Sequence, residues 1–94
     1  MKVKIYYFAS VREVVNMREE SLDVPSGTNV RKLLDLIAAR HGDKLKEYLL
    51  DEAGNPRSYL QFILNEKSIA ETGGFSTELT EGSTFAIIPP VGGG

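Results

Sequence analysis

The chain contains no cysteine and only one histidine. The missing cysteine excludes disulfides, thiolate metal sites and cysteine nucleophiles together. It also fits a reducing cytoplasm, where disulfides are rare. An excess of charge of either sign is missing too: 11 Lys and Arg stand against 13 Asp and Glu, a net charge of −2. With no basic stripe to follow a phosphate backbone, nucleic acid is not expected as a partner. A weakly acidic surface instead suits a protein with a basic docking face. Long apolar runs are absent. Phe85 to Ile88 falls far short of the ~20 residues a membrane span needs. Residues Met1 to Phe8 alternate charge with bulk and hold no continuous apolar stretch of the kind a signal peptide carries. No membrane association is expected, and the expected location is cytoplasmic.

The parts of an independent catalyst are lacking as well. His41 has no HxH or HExxH spacing around it, so no metal site is expected. At a helix C-terminus it reads as a solvated end group facing the helix dipole. The carboxylate pairs Glu19-Glu20 and Asp51-Glu52 sit beside turns and read as solvated faces rather than acid/base pairs. The glycines form neither GxGxxG nor a phosphate loop. No catalytic residue and no bound cofactor are expected in this chain.

What is present is enough for one small domain of 94 residues. Alternation over residues 2 to 9 predicts a strand with Val3 and Ile5 facing the core. Ser10 and Glu13 have capping-box spacing, ahead of a short helix ending near Asn16 with Val11, Val14 and Val15 on one face. Residues 20 to 24 alternate again, as an antiparallel partner of the first strand. Pro25-Ser26-Gly27 is a turn, and Thr28 is the expected N-cap of the longest helix, about 29 to 41. Val30, Leu33, Leu34, Ile37 and Ala38 give that helix one broad apolar face, and Gly42 is its natural stop. A shorter helix is expected over 43 to 50, with Leu45, Tyr48 and Leu49 inward, then a loop to Arg57. Residues 58 to 65 read as a central strand and Asn65-Glu66 as a tight turn into a short strand at 67 to 70. Thr77 to Leu79 reads as a short turn or helical segment, and 83 to 88 as the last strand, stopped by Pro89-Pro90. The order predicts an α+β fold, a mixed sheet covered by one long helix, of which the β-grasp is the compact form. The expected boundaries are a body of residues 1–88 and an extended tail of residues 89–94.

That tail, Pro-Pro-Val-Gly-Gly-Gly, is the unusual feature. Three successive glycines at a terminus have a chance of roughly 3 × 10⁻⁴ at a glycine usage of about 7%. An unstructured end is the plain alternative, but Pro89 and Pro90 fix φ and hold the segment extended. Glycines without a Cβ can enter a channel too narrow for any side chain. The result is a thin probe with a carboxylate at its tip, on Gly94. A carboxylate is a poor electrophile, so an outside enzyme must activate it. The glycines have nothing to bury and no ladder to join, so the tail is expected to become ordered only inside a partner.

Tyr7-Phe8-Ala9-Ser10-Val11-Arg12-Glu13 near the start and Phe85-Ala86-Ile87-Ile88-Pro89-Pro90-Val91-Gly92-Gly93-Gly94 at the end together resemble the MoaD family. These are small subunits of molybdopterin synthase, within the MoaD/ThiS ubiquitin-like sulfur carriers. Ile63-Leu64-Asn65-Glu66 resembles the family's VNG strand and turn. The resemblance implies a β-grasp fold. It also implies that a MoeB-like activating enzyme uses ATP to adenylate Gly94, and that a sulfur donor then converts it to a thiocarboxylate. Pro89, Pro90, Val91, Gly92 and Gly93 would enter a MoaE-like large subunit, which uses the sulfur to build the dithiolene of molybdopterin. Phe8, Arg12 and Ile88 are the residues expected to dock partners. For Phe8 the strand alternation points away from the core, and packing into the core is the competing reading.

The sequence also departs from the family. Its members usually end in two glycines, and this chain has three. The acidic DGDE turn before the last strand reads Glu81-Gly82-Ser83-Thr84, and the segment Asp43 to Arg57 is longer than in the shortest members. Thr72 to Thr77 resembles an archaeal-type variant, some of whose members become attached to lysines of other proteins. A ubiquitin-like modifier, or a carrier for tRNA thiolation, therefore stands as the alternative. The Tyr7-to-Glu13 motif favours the molybdopterin role over a ThiS-like thiazole carrier.

Overall fold

In the computed structural model, which describes residues 1–90, strand and helix alternate as the patterning requires. The elements are β1 (Lys2–Tyr7), α1 (Ala9–Val15), β2 (Glu19–Asp23), α2 (Val30–His41), α3 (Asp43–Leu49), β3 (Gln61–Leu64), β4 (Lys67–Ser68) and β5 (Thr84–Ile88), with 3₁₀ turns at Ile69–Glu71 and Gly74–Ser76. The expectations for Val91, Gly92, Gly93 and Gly94 lie outside the described residues.

The five strands form one mixed sheet in the order β2-β1-β5-β3-β4. β1 and β5 run parallel at its middle, with Tyr7 opposite Ile87, and every other pairing is antiparallel. Alternation along the strands sends Val3, Ile5, Tyr7, Phe62, Leu64, Phe85 and Ile87 to one face, where all are buried. The apolar stripe of α2 lies against them, with Val30, Leu33, Leu34, Ile37 and Ala38 all buried. Val11 and Val15 of α1 and Leu45 and Leu49 of α3 join the same core. The covering layer is thus three helices rather than one long helix alone. Its main member is α2, and the fold is the expected β-grasp.

Several local expectations are corrected. The Ser10–Glu13 capping box does not form: α1 begins two residues earlier, with Phe8 at its N-cap and no side-chain cap. Ser10 instead hydrogen-bonds the Tyr48 hydroxyl and so ties α1 to α3. Thr28 is not the N-cap of α2. It is buried, and its hydroxyl donates to the Pro25 carbonyl at 2.7 Å to close the preceding turn. Asn29, as good a capping residue, accepts from the Lys32 amide at 2.8 Å. Thr77 to Leu79 is extended, not helical. The Thr77 carbonyl accepts from the Val30 amide at 3.0 Å, and the Leu79 amide donates to the Thr28 carbonyl at 2.9 Å. These bonds use a backbone donor that the first turn of α2 cannot satisfy internally. β3 starts only at Gln61, after a turn at Ser58 and Tyr59, and β5 rather than β3 holds the centre of the sheet. Gly42 does close α2: at φ +94 its amide donates to Ala38, and its carbonyl starts α3.

Candidate functional site

The chain leaves the body from the middle of the sheet. β5 ends at Ile88, flanked by β1 and β3, and runs directly into Pro89-Pro90. Neither proline can donate to a ladder, so the sheet stops there. Pro89 is buried against the body and Pro90 is exposed.

Phe8 follows Tyr7 and Ile88 follows Ile87, so the two sit at the same end of adjacent strands. Phe8 keeps extended backbone, φ −120 and ψ 149, before α1 turns the chain away. It is 39% exposed, which removes the core reading. The turn is abrupt because Ala9 takes φ +50, an unfavourable value for a residue with a Cβ. Arg12 lies one turn along α1. Its Nε donates to the Tyr7 carbonyl at 3.1 Å, and its guanidinium carbon stands 6.0 Å from the centre of the Phe8 ring. No described acidic residue pairs with it. Phe8, Arg12 and half-buried Ile88 are thus gathered where the chain exits, although they come from opposite ends of the sequence. An aromatic, a cation held by one nitrogen and an aliphatic chain make a surface that can take an apolar and acidic partner.

The same strands present Tyr6, Ile63, Ala86 and Ile88 on the face without helices. Tyr6, Ala86 and Ile63 lie in one row, bordering a shallow depression of about 320 Å³. This row, continuous with Ile88, went unread in the sequence. Its only signal there was the alternation that placed the other residues of each strand inward.

Two expectations about charged residues are overturned. His41 and Glu20 are not solvated: their side chains are 13% and 7% exposed, and they bond to each other. The Tyr7 hydroxyl and the Arg40 guanidinium complete the group. The acidic pair Glu19-Glu20 is split by strand alternation, one residue to each face. Among the described residues no cluster of His, Asp and Glu could hold a metal ion, and no helix is long and apolar enough to cross a membrane.

Known proteins share this fold. The family model described as ThiS family matches residues 5–94. The molybdopterin synthase sulfur carrier subunit of Chlamydomonas reinhardtii is 31% identical over 94 residues, covering 100% of both chains. Small archaeal modifier protein 3 of Haloferax volcanii is 27% identical, again over 100% of both. The crystal structure of SAMP1 from Haloferax volcanii superposes with a TM-score of 0.88 over 100% of each chain at 22% identity, a likeness of fold. The chain belongs to the ThiS family, the ubiquitin-like sulfur carriers its end motifs resemble.

Proposed function

We propose that this chain is the sulfur carrier subunit of a molybdopterin synthase. The terminal carboxylate of Gly94 is adenylated by a MoeB-like enzyme with ATP. A sulfur donor then converts it to a thiocarboxylate, and a MoaE-like large subunit consumes the sulfur. The observation that carries this reading is the convergence of Phe8, Arg12 and Ile88 at the root of the Pro-Pro-Val-Gly-Gly-Gly segment. A carrier needs a docking surface beside its reactive end. The 31% identity to an algal molybdopterin synthase sulfur carrier subunit supports the same role. The likeness to small archaeal modifier protein 3 supports a second reading, in which the same activated glycine is joined to lysines of other proteins.

Activation replaces one carboxylate oxygen by sulfur, a gain of about 16 Da for the modified acid. Intact mass after incubation with the cognate activating enzyme, ATP and a sulfur donor reads that gain, and fragmentation places it on Gly94. Gly93→Val should keep the circular dichroism spectrum and abolish adenylation, because a Cβ cannot pass a glycine-width channel. Full sulfur uptake by a variant lacking all three terminal glycines would overturn the assignment. Release of molybdopterin with the large subunit, set against isopeptide-linked conjugates in cells, separates the first reading from the second.

A further inference from the structure

Glu20 lies on the edge strand β2 opposite Ile5, so its side chain turns toward the helix-covered face. Three donors converge on its carboxylate. The Tyr7 hydroxyl and His41 Nε2 both meet Oε2, and Arg40 Nε reaches Oε1 at 2.7 Å. A carboxylate can only accept, so His41 carries its proton on Nε2. The His41 ring also stands edge-on to Tyr7, with centroids 5.9 Å apart and planes at 84°. These four residues join β1, β2 and the last turn of α2, and the proposed sulfur chemistry uses none of them.

β2 has few other ties to the rest of the molecule. Its ladder reaches only β1, because it is the sheet edge. Half-buried Leu22 packs against the core. Its remaining ion pairs, Lys2 to Asp23 at 3.3 Å and Lys4 to Glu19 at 3.0 Å, are exposed on the other face, where such pairs contribute little. The Glu20 carboxylate is therefore the main polar link between the edge strand and the helix layer. A nearly buried carboxylate is tolerable only while its donors pair with it.

We propose that Glu20, held by Tyr7, Arg40 and His41, is a charge-dependent latch that fastens β2 to the C-terminal end of α2 and opens β2 locally when the carboxylate is protonated. The physical reason is the count of donors. A neutral carboxyl carries a proton of its own on one oxygen, which competes with a converging donor, and the bonds that remain lose their charge assistance. The groups facing it are Tyr7 from β1 and Arg40 and His41 from α2; the ion-paired Lys2, Lys4, Glu19 and Asp23 lie on the opposite face. Burial alone would raise the Glu20 pKa, but the bonds from Tyr7, His41 and Arg40 outweigh it and hold the carboxyl below its ordinary range. The latch is thus closed at neutral pH and opens in acid.

Amide hydrogen exchange on the full chain, followed by NMR from pH 7 into the acid range and corrected for intrinsic rates, tests this. In the wild type, the β2 amides bonded to β1 should lose about tenfold in protection relative to β5 as the pH falls. Glu20→Gln, which copies the neutral carboxyl, should show that β2-selective loss already at pH 7, with no further acid dependence. Protection of β2 equal to wild type in Glu20→Gln would overturn the proposal, as would a loss spread evenly over β2, β3 and β5. Should Glu20→Gln fail to fold, the wild-type titration and Arg40→Gln decide. Arg40→Gln trims an exposed side chain, and a smaller loss confined to β2 is expected there; an unchanged β2 would count against the latch.

Discussion

The two faces of the sheet are built from the same strands and do opposite things. On the helix-covered face, Tyr7, Phe85 and Ile87 are fully enclosed, and every buried side-chain polar atom among the described residues has a hydrogen-bond partner. On the other face, Tyr6, Ala86 and Ile88 are their immediate chain neighbours and have no layer above them among the described residues. One residue of alternation separates a position that holds the fold from one that is free to meet a partner. The contrast teaches that the alternation which builds the core also leaves a second, uncovered face on the same strands.

The largest effect expected from breaking this contrast is on the covered face. Phe85→Ala empties a fully buried site that stacks on Phe62 with ring centroids 5.9 Å apart. It should cost about 3–5 kcal/mol in denaturant unfolding, a large share of the stability of a domain this size. Phe8→Ala, at the exit of the chain, should do the reverse. Stability should change by under about 1 kcal/mol, because the ring is already 39% exposed. Binding to the activating enzyme or the large subunit should fall by about thirtyfold, the ~2 kcal/mol of an aromatic anchor. A large drop in melting temperature with unchanged binding would return Phe8 to a structural role.

The polar group at the end of α2 gives the covered face a pH dependence of its own. The Glu20 carboxyl is held below its ordinary 4.5, so its contribution is complete above that value and is lost as the pH falls through the lower folded pKa. Tyr7 is shifted upward from 10.0, first by burial and then by its bond to Glu20. Its contribution is complete below pH 10 and is lost as the pH climbs above it. Chemical denaturation across pH should therefore give a plateau that falls at both ends, and Glu20→Gln should flatten the acid side. An acid limb that survives in Glu20→Gln would move its origin elsewhere.

The smallest effect concerns the turn between β3 and β4. Asn65 and Glu66 both have positive φ, at 51° and 70°, as a type I′ hairpin requires. Glu66 carries a Cβ into a conformation that glycine adopts freely. Glu66→Gly should stabilise the protein by about 0.4–1 kcal/mol in thermal unfolding, because relief of that strain outweighs the added freedom of the unfolded chain. A loss of stability would mean that the Glu66 side chain contributes more than its backbone strain costs.

Much of this was legible in the sequence. The 3.6-residue stripe of α2 and the alternation in β1 and β5 are local repeats, and each fixes which side chains turn inward before any partner is chosen. So are Gly42 as a helix stop, Asn65-Glu66 as a hairpin turn and the glycine run itself. What failed were local rules with more than one outlet. Ser10 and Thr28 can each cap a helix, but Ser10 found Tyr48 and Thr28 found the Pro25 carbonyl. Tertiary structure alone decided that His41, at a helix end, and Glu20, in an acidic pair, would meet under Tyr7 rather than face water. It also brought Phe8 beside the exit of β5 and buried Pro89. The reason is distance along the chain. Periodicity and turn chemistry act within a few residues, whereas these meetings span 13 residues between Tyr7 and Glu20, 21 between Glu20 and His41, and most of the chain between Phe8 and the end of β5. They exist only once the parallel β1–β5 pairing and the helix layer have set the neighbours.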